Sequence, residues 1–582
     1  MQLEDYWGVG PKTRDLLAGE LGVEAAIEAI ENADVRALTG AGLSRGRATR
    51  ILRHAHGGGA MDLLATRDTR DVYKSILDIV AGFAVTDAAR DRIRILTPLA
   101  ERADVADRLD AVAEARDSWT ALSEQRRETV LDAFAEHDGG DRAAVETALA
   151  LKRTGVEGGV FSPLADIDAE TLEDAASALA GLDAGSGDRV GEGADEELDG
   201  LRERLGAVED MAATPGSVVE TVESGARGAD ELREAFVRHV ADGTGVGVGR
   251  VRESMPAEST DARAFVGETL RSLADDLRKR VENRERAVRE RLQGALDDAR
   301  PAIDAAVEAV DDIAFAVSLA RFAIEYDLIR PELVEAQALG VLSARNLFLA
   351  ADDEPLQPVS YGVGEHGLSS PGPTDPPQDR VAVLTGANSG GKTTLLETLC
   401  QIQLLAEMGL PVPAERAAVG PVDAIVFHRR HASFNAGVLE STLRSVVPPL
   451  GETGRTLMLV DEFEAITEPG SAADLLHGLV TLTVDSDALG VFVTHLAEDL
   501  EPLPGTARVD GIFAEGLTPD LDLDVDYQPR FGTVGRSTPE FIVSRLIADA
   551  GDRAERAHYE TLAESIGETA VQRTLADAHF RS

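Results

Sequence analysis

Eight consecutive residues, Gly386, Ala387, Asn388, Ser389, Gly390, Gly391, Lys392 and Thr393, follow the spacing G-x-x-x-x-G-K-[ST]. That spacing suits a loop that wraps a phosphate, because the glycines let successive backbone N–H groups converge on one anion. Lys392 is placed to reach the β- and γ-oxygens, and the Thr393 hydroxyl to face Mg²⁺. The flanks agree. Val381, Ala382, Val383 and Leu384 form an apolar run that predicts a strand, and Thr394 to Leu399 has a helical pattern. A strand, a glycine turn and a helix N-terminus together form an anion site. Residues 386–394 are therefore expected to bind a nucleoside triphosphate and to take part in splitting it.

Two later segments could complete that chemistry. Thr456 to Val460 is an apolar strand that ends in Asp461 and Glu462. An acid at this strand end suits Mg²⁺, and its neighbour suits a base that orients or deprotonates the attacking water. Leu489 to Val493 is a third apolar strand, followed by Thr494 and His495. The order of these segments resembles that of ATPases of the ABC class, in which a histidine there contacts the γ-phosphate; a structural strand-end histidine is the alternative. Glu462, His495 and Lys392 are the expected catalytic residues, with Thr393 and Asp461 as the metal ligands.

Several kinds of element must position these groups. Residues 350–540 read as an α/β domain in which short apolar strands alternate with helices, the pattern of a parallel nucleotide-binding sheet. Residues 60–349 read as mostly helix. The stretch near 183–200 reads as a disordered acidic loop. Within 260–317, Leu270, Leu273, Leu277, Val281, Val288, Leu292 and Leu296 recur at helical spacing. Either a coiled-coil arm or a bundle core accounts for that spacing, and Pro301 is expected to end or kink the helix. Residues 541–582 read as a helical tail. The fold class is thus multidomain: a small N-terminal module, a helical middle and a C-terminal α/β P-loop domain.

The N-terminal module covers residues 1–57. Gly8, Val9 and Gly10 precede a helical stretch that includes Lys12, and the pattern returns at Gly40, Ala41 and Gly42 before Arg45, Arg47 and Arg50. From Val35 to Met61 there are five arginines and no acidic residue. This resembles a tandem helix-hairpin-helix pair. In that family the glycine turn offers backbone amides to a DNA phosphate without reading bases. The resemblance makes Gly8, Gly10, Lys12, Gly40, Gly42, Arg45, Arg47 and Arg50 the expected DNA contacts. A glycine-punctuated helical bundle, or a protein-docking module, is the alternative.

The 582 residues carry a net charge of −47, with five lysines against 52 arginines. Such a composition resembles that of proteins from salt-loving archaea. In molar salt the screening length falls to about 3 Å and a crowded acidic surface is tolerated. The acidity is therefore expected to reflect habitat, and it does not exclude a nucleic-acid partner. No run of about 18 apolar residues is present to span a membrane. Residues 1–5 lack the basic and apolar regions of a signal peptide, and the single cysteine, Cys400, suits a reducing cytoplasm.

Gly386 to Thr393, Asp461-Glu462 and Thr494-His495 together resemble, in order and spacing, the ATPase domain of the MutS family. Pro411 to Ala414 and Val419 to Asp423 resemble its segment after the P-loop helix. The N-terminal hairpin pair and Arg536 to Glu540 resemble its archaeal second subfamily. The resemblance implies ATP and Mg²⁺, a homodimer with composite sites, and sequence-independent DNA binding coupled to hydrolysis in repair or recombination. It also implies a trans-acting signature at 433–442, where Asn435 stands in place of a serine and Glu440 is retained. No mismatch-reading domain is recognisable, and Phe463 to Gly470 lacks the small-residue stretch of the mismatch-repair members. A structural DNA-organising ATPase of the SMC or RecN kind is the alternative, as is a small-molecule phosphotransferase.

Overall fold

The computed structural model describes residues 2–137, 139–156, 158–182, 189–223, 228–257, 259, 261–386, 391–430, 436–452, 455–463, 469–500, 502–518, 523–535, 539–567, 571, 573 and 574. The chain divides into two compact units, one of residues 1–127 with 313–582 and one of residues 128–312.

The first unit is built on two sheets. The strands are β1 (Glu332–Leu333), β2 (Ala338–Ala344), β3 (Val359–Gly364), β4 (Val381–Gly386), β5 (Arg416–Val419), β6 (Ala424–His428), β7 (Thr456–Asp461), β8 (Leu489–Val493), β9 (Ala507–Leu517) and β10 (Leu523–Phe531). The larger sheet has the order β10-β9-β4-β8-β7-β6, and the smaller one β1-β5-β2-β3. Strands β6, β7, β8, β4 and β9 run parallel, and β10 returns antiparallel to β9. β4, β6, β7 and β8 are buried throughout, which is why they read as continuous apolar runs rather than alternating ones. Parallel pairing sets the ends of β4, β7 and β8 side by side: Leu384 pairs with Val493, and Val493 with Asp461. All three candidate segments therefore open on one edge of the sheet.

A buried network anchors the root of β4. The Tyr361 hydroxyl donates to Asp510 Oδ2 at 2.8 Å, Arg508 Nε donates to the same oxygen at 2.9 Å, and Arg508 Nη2 donates to the Gly362 carbonyl at 2.6 Å. Thr385 Oγ1 donates to the Asp510 carbonyl at 3.0 Å and accepts from the Gly535 N–H at 2.6 Å. These contacts tie β3, β4 and β9 together immediately before the glycine loop.

The first four helices of the chain are α1 (Pro11–Glu20), α2 (Val23–Glu31), α3 (Val35–Gly40) and α4 (Arg45–Gly57). They enclose a small core of Leu17, Ile30, Leu38, Ile51 and Leu52, and Ile95 joins it from beyond residue 57. Helix α5 (Arg67–Ala81) covers the outer strand of the large sheet. Thr66 Oγ1 donates to the Phe427 carbonyl at 2.5 Å, and Thr69 Oγ1 accepts from the Phe427 N–H at 3.0 Å. Side chains thus cap what would be an open edge at β6.

Residues 60–349, expected as mostly helix, include α5, which packs on the sheet, and strands β1 and β2 after the long helix stops at Glu325. Part of the expected acidic loop is helix, Glu196–Ala213: Asp195 caps it by accepting from the Leu198 N–H at 3.0 Å, and Glu196, Glu197 and Asp199 lie at the positive end of the helix dipole. Residues 183–188 lie outside the described residues. Helix Ala262–Glu325 continues past Pro301, so the proline does not end it.

In the second unit Leu270, Leu273 and Leu277 are buried with Phe236, Val240 and Phe265, and Val288 is buried with Val190 and Leu198. These four positions of the helical repeat are thus core positions. Among the described residues, no helix is long and apolar enough to cross a membrane.

Candidate nucleoside triphosphate site

The glycine loop leaves β4 at Gly386, whose φ of +124° is open to glycine. A Cβ there would stand 2.0 Å from the Ile512 carbonyl oxygen. Ala387, Asn388, Ser389 and Gly390 lie outside the described residues. The chain resumes at Gly391, the first residue of helix Gly391–Glu407. A Cβ on Gly391 would come within 2.2 Å of the Tyr527 ring. Lys392 is 4% exposed, and its Nζ donates to the Gly386 carbonyl at 2.8 Å, at the end of β4. Thr394 continues the helix, and its carbonyl accepts from Thr398 Oγ1 at 2.7 Å.

Thr393 and Asp461 meet. The threonine Oγ1 donates to Asp461 Oδ2 at 2.7 Å. Asp461 is 2% exposed, and among the described residues its Oδ1 accepts no hydrogen bond. Burial pushes the Asp461 carboxyl above its ordinary pKa, with the Thr393 hydrogen bond opposing that shift. A buried carboxylate with one open oxygen beside a hydroxyl is a hard oxygen pair, the donor chemistry that suits Mg²⁺. These residues fit the ion.

Glu462 follows at the strand end with a φ of +41°, left-handed backbone that a non-glycine residue adopts at some cost. Its N–H donates to the Val493 carbonyl at 3.0 Å, which pins it to β8. The carboxylate is clamped on both sides: Oε1 lies 2.8 Å from His495 Nε2, and Oε2 accepts from Arg430 Nη1 at 2.6 Å. The His495 hydrogen bond holds the Glu462 carboxyl below the ordinary glutamate range, outweighing the opposing effect of burial. The result is an ionised carboxylate between two donors at the edge where the loop opens.

The structure therefore brings Lys392, Thr393, Asp461, Glu462 and His495 to one sheet edge. It adds Arg430, which the motif reading missed. The signal was present in the sequence, since Arg429-Arg430 follows the apolar strand β6 as Asp461-Glu462 closes β7. Helix α5 holds that segment, because the Arg429 N–H donates to Asp68 Oδ2 at 2.8 Å. Of the expected trans signature, Asn435 lies outside the described residues. Glu440 is exposed on helix Ala436–Val446, where Arg444 of the same helix pairs with it at 2.7 Å.

A second missed feature is a cavity of about 260 Å³ beside the loop helix, lined by Asn346, Leu349, Val359, Gly391, Leu395 and Tyr527 among others. Its walls are part apolar and part amide and phenol. Asn346 Nδ2 donates to Thr398 Oγ1 at 3.0 Å, fixing the cavity wall to the helix.

The expected DNA contacts lie elsewhere, in the four-helix module. Gly8 and Gly42 have φ of +82° and +95°, and each precedes a helix, α1 and α4. Gly10 stands at the N-terminus of α1, where no side chain caps the helix, and Gly40 closes α3. Lys12, Arg47 and Arg50 are exposed. Arg45 is engaged within the chain, its Nη2 donating to buried Asp91 at 3.1 Å.

Residues 382–498 match MutS domain V. A protein described as DNA-binding protein MutS2, from Pyrococcus furiosus, is 47% identical over 221 residues, which cover 38% of this chain and 38% of that relative. An endonuclease MutS2 from Thermus thermophilus is 31% identical over 175 residues, 29% of this chain and 23% of the relative. The human DNA mismatch repair protein Msh3 is 29% identical over 186 residues, 31% of this chain and 15% of the relative. The chain thus matches well under half the length of these relatives.

Proposed function

We propose that this chain is a MutS2-type member of the MutS family, an ATPase that couples hydrolysis to sequence-independent DNA binding. The clamped Glu462 beside the Thr393–Asp461 pair is the observation that carries this reading. The domain V match and the names of the relatives support it at the family level.

In the proposed reaction ATP lies with its phosphates over the loop, and its base enters the cavity beside Tyr527. Lys392 gives up the Gly386 carbonyl and neutralises the β- and γ-oxygens. Thr393 and Asp461 would hold Mg²⁺, which supplies charge neutralisation on the phosphates when bound. Glu462, kept ionised by His495 and Arg430, orients the attacking water and accepts its proton. His495 faces the γ-phosphate from the end of β8. A second copy of the chain would complete each site through the 433–442 segment, giving a homodimeric, cytoplasmic DNA clamp. Closure and reopening of the ATPase heads would follow binding and hydrolysis.

DNA-stimulated ATPase, measured in molar KCl across blunt duplex, mismatched, branched and single-stranded DNA, tests this proposal. Stimulation by at least one DNA, lost in Lys392→Ala, is expected. A chain that hydrolyses ATP without responding to any DNA would overturn the coupling.

A further inference from the structure

The N-terminal module carries an aromatic pair that phosphate contacts leave unused. Trp7 stacks on His54 with ring centroids 3.8 Å apart and planes 26° apart. Trp7 is 54% exposed, whereas Trp119, the other tryptophan, is 6% exposed. The turn that carries Trp7 is fixed: Leu3 and Val9 are buried on either side, and a Cβ on Gly8 would lie 3.3 Å from Ile51 Cγ1 of α4. The chain therefore holds a large ring rigidly at the surface, with one face backed by an imidazole.

Helix α4, which carries His54, has four arginines and no acidic residue. On α4, Arg47 and Arg50 precede His54 by seven and four residues, which puts all three on one helix face. Both arginines are exposed, and among the described residues neither makes an ion pair. Within the module, Glu4 pairs with Arg14, and Glu31 accepts from the Tyr6 hydroxyl. A rigid exposed ring beside a basic stripe is the combination that holds single-stranded nucleic acid, with the base on the ring and the phosphates on the arginines.

We propose that Trp7, backed by His54 and flanked by Arg47 and Arg50, is a stacking platform for an unpaired base of DNA. The proposal rests on the DNA-binding reading of residues 1–57 and deepens it. Phosphate contacts alone would not distinguish blunt duplex from duplex with an unpaired stretch; the platform favours the second. Stacking also depends less on salt than phosphate contacts do, so the preference grows as KCl rises.

The test uses the full chain, a blunt duplex and the same duplex with a short single-stranded gap. Trp7 emission is followed, with buried Trp119 as an internal reference. The gapped DNA is expected to quench Trp7 and the blunt duplex is not. Trp7→Ala is expected to weaken gapped-DNA binding by roughly 5- to 150-fold, the range for losing one base stack, and to leave duplex affinity within about twofold. Trp7→Phe should recover part of the loss, and His54→Ala should reproduce part of it with Trp7 in place. Duplex binding that persists with no quench by gapped DNA, and with Trp7→Ala unchanged, overturns the platform alone. Failure to bind either DNA overturns the DNA-binding reading and the platform together.

Discussion

Glu462 Oε1 and His495 Nε2 stand 2.8 Å apart across the ends of two neighbouring strands. This hydrogen bond is the main cause of the lowered Glu462 pKa. A depressed carboxyl pKa leaves the base ionised at every pH above the ordinary glutamate value of about 4.3. Any loss of turnover as pH falls through 5 should therefore not come from protonation of Glu462. His495→Ala removes the largest lowering influence and leaves burial to raise the pKa, so the acid limb of the pH–rate profile should move to higher pH. The same sign governs stability: the pair stabilises the fold above the unfolded carboxyl pKa and is lost as pH falls through the folded one. An acid limb that stays in place would show that His495 does not set the charge of Glu462.

The Thr393–Asp461 pair makes a separate prediction about magnesium. A ligand that binds only the folded chain at 100 times its Kd stabilises it by about 2.7 kcal/mol. MgATP should raise the unfolding temperature more than ATP with EDTA. In Asp461→Asn, which lacks the open carboxylate oxygen, the two curves should coincide. A difference that survives in Asp461→Asn would place the ion elsewhere.

Gly391 and Tyr527 predict a steric effect confined to the site. An alanine Cβ at 391 would lie 2.2 Å from the ring, so the ring must swing away. Gly391→Ala should weaken ATP binding by about tenfold, or about 1.4 kcal/mol, with little change in unfolding temperature. Adding Tyr527→Ala should restore part of the affinity, and a double-mutant cycle measures the coupling. Additive losses would separate Tyr527 from the nucleotide.

Asp510 predicts an effect on the whole fold. Its side chain is fully buried, accepts from Tyr361 and Arg508, and takes the Gly532 N–H at 3.2 Å. Burial raises its pKa, and Arg508 opposes that shift. Asp510→Ala strands a buried guanidinium and should cost about 3–5 kcal/mol in chemical denaturation. A cost below about 1 kcal/mol would mean that water or another group takes its place.

The parts of this molecule that were legible in the sequence are those whose chemistry is local. The strand before Gly386, the acids closing β7 and the histidine after β8 each lie within a few residues of the pattern that signals them. The place of Arg430 after an apolar strand was legible but its partner was not, because Glu462 belongs to another strand and only the parallel pairing of β6 with β7 brings them together. The α5 cap on β6 joins residues 361 positions apart, as in Thr66 to Phe427. Tyr527 lies on an antiparallel return strand whose half-buried, charged sequence carries little strand signal. Pro301 does not end its helix, which continues to Glu325.

The central claim is that Glu462 is the base of an ATP-hydrolysing site, and Glu462→Gln tests it most directly. Gln keeps the shape and one acceptor while losing the charge. The variant should bind ATP with close to the wild-type Kd and turn it over at least about 100-fold more slowly, the lower range for loss of a general base. Turnover within twofold of wild type at unchanged ATP affinity would contradict the account.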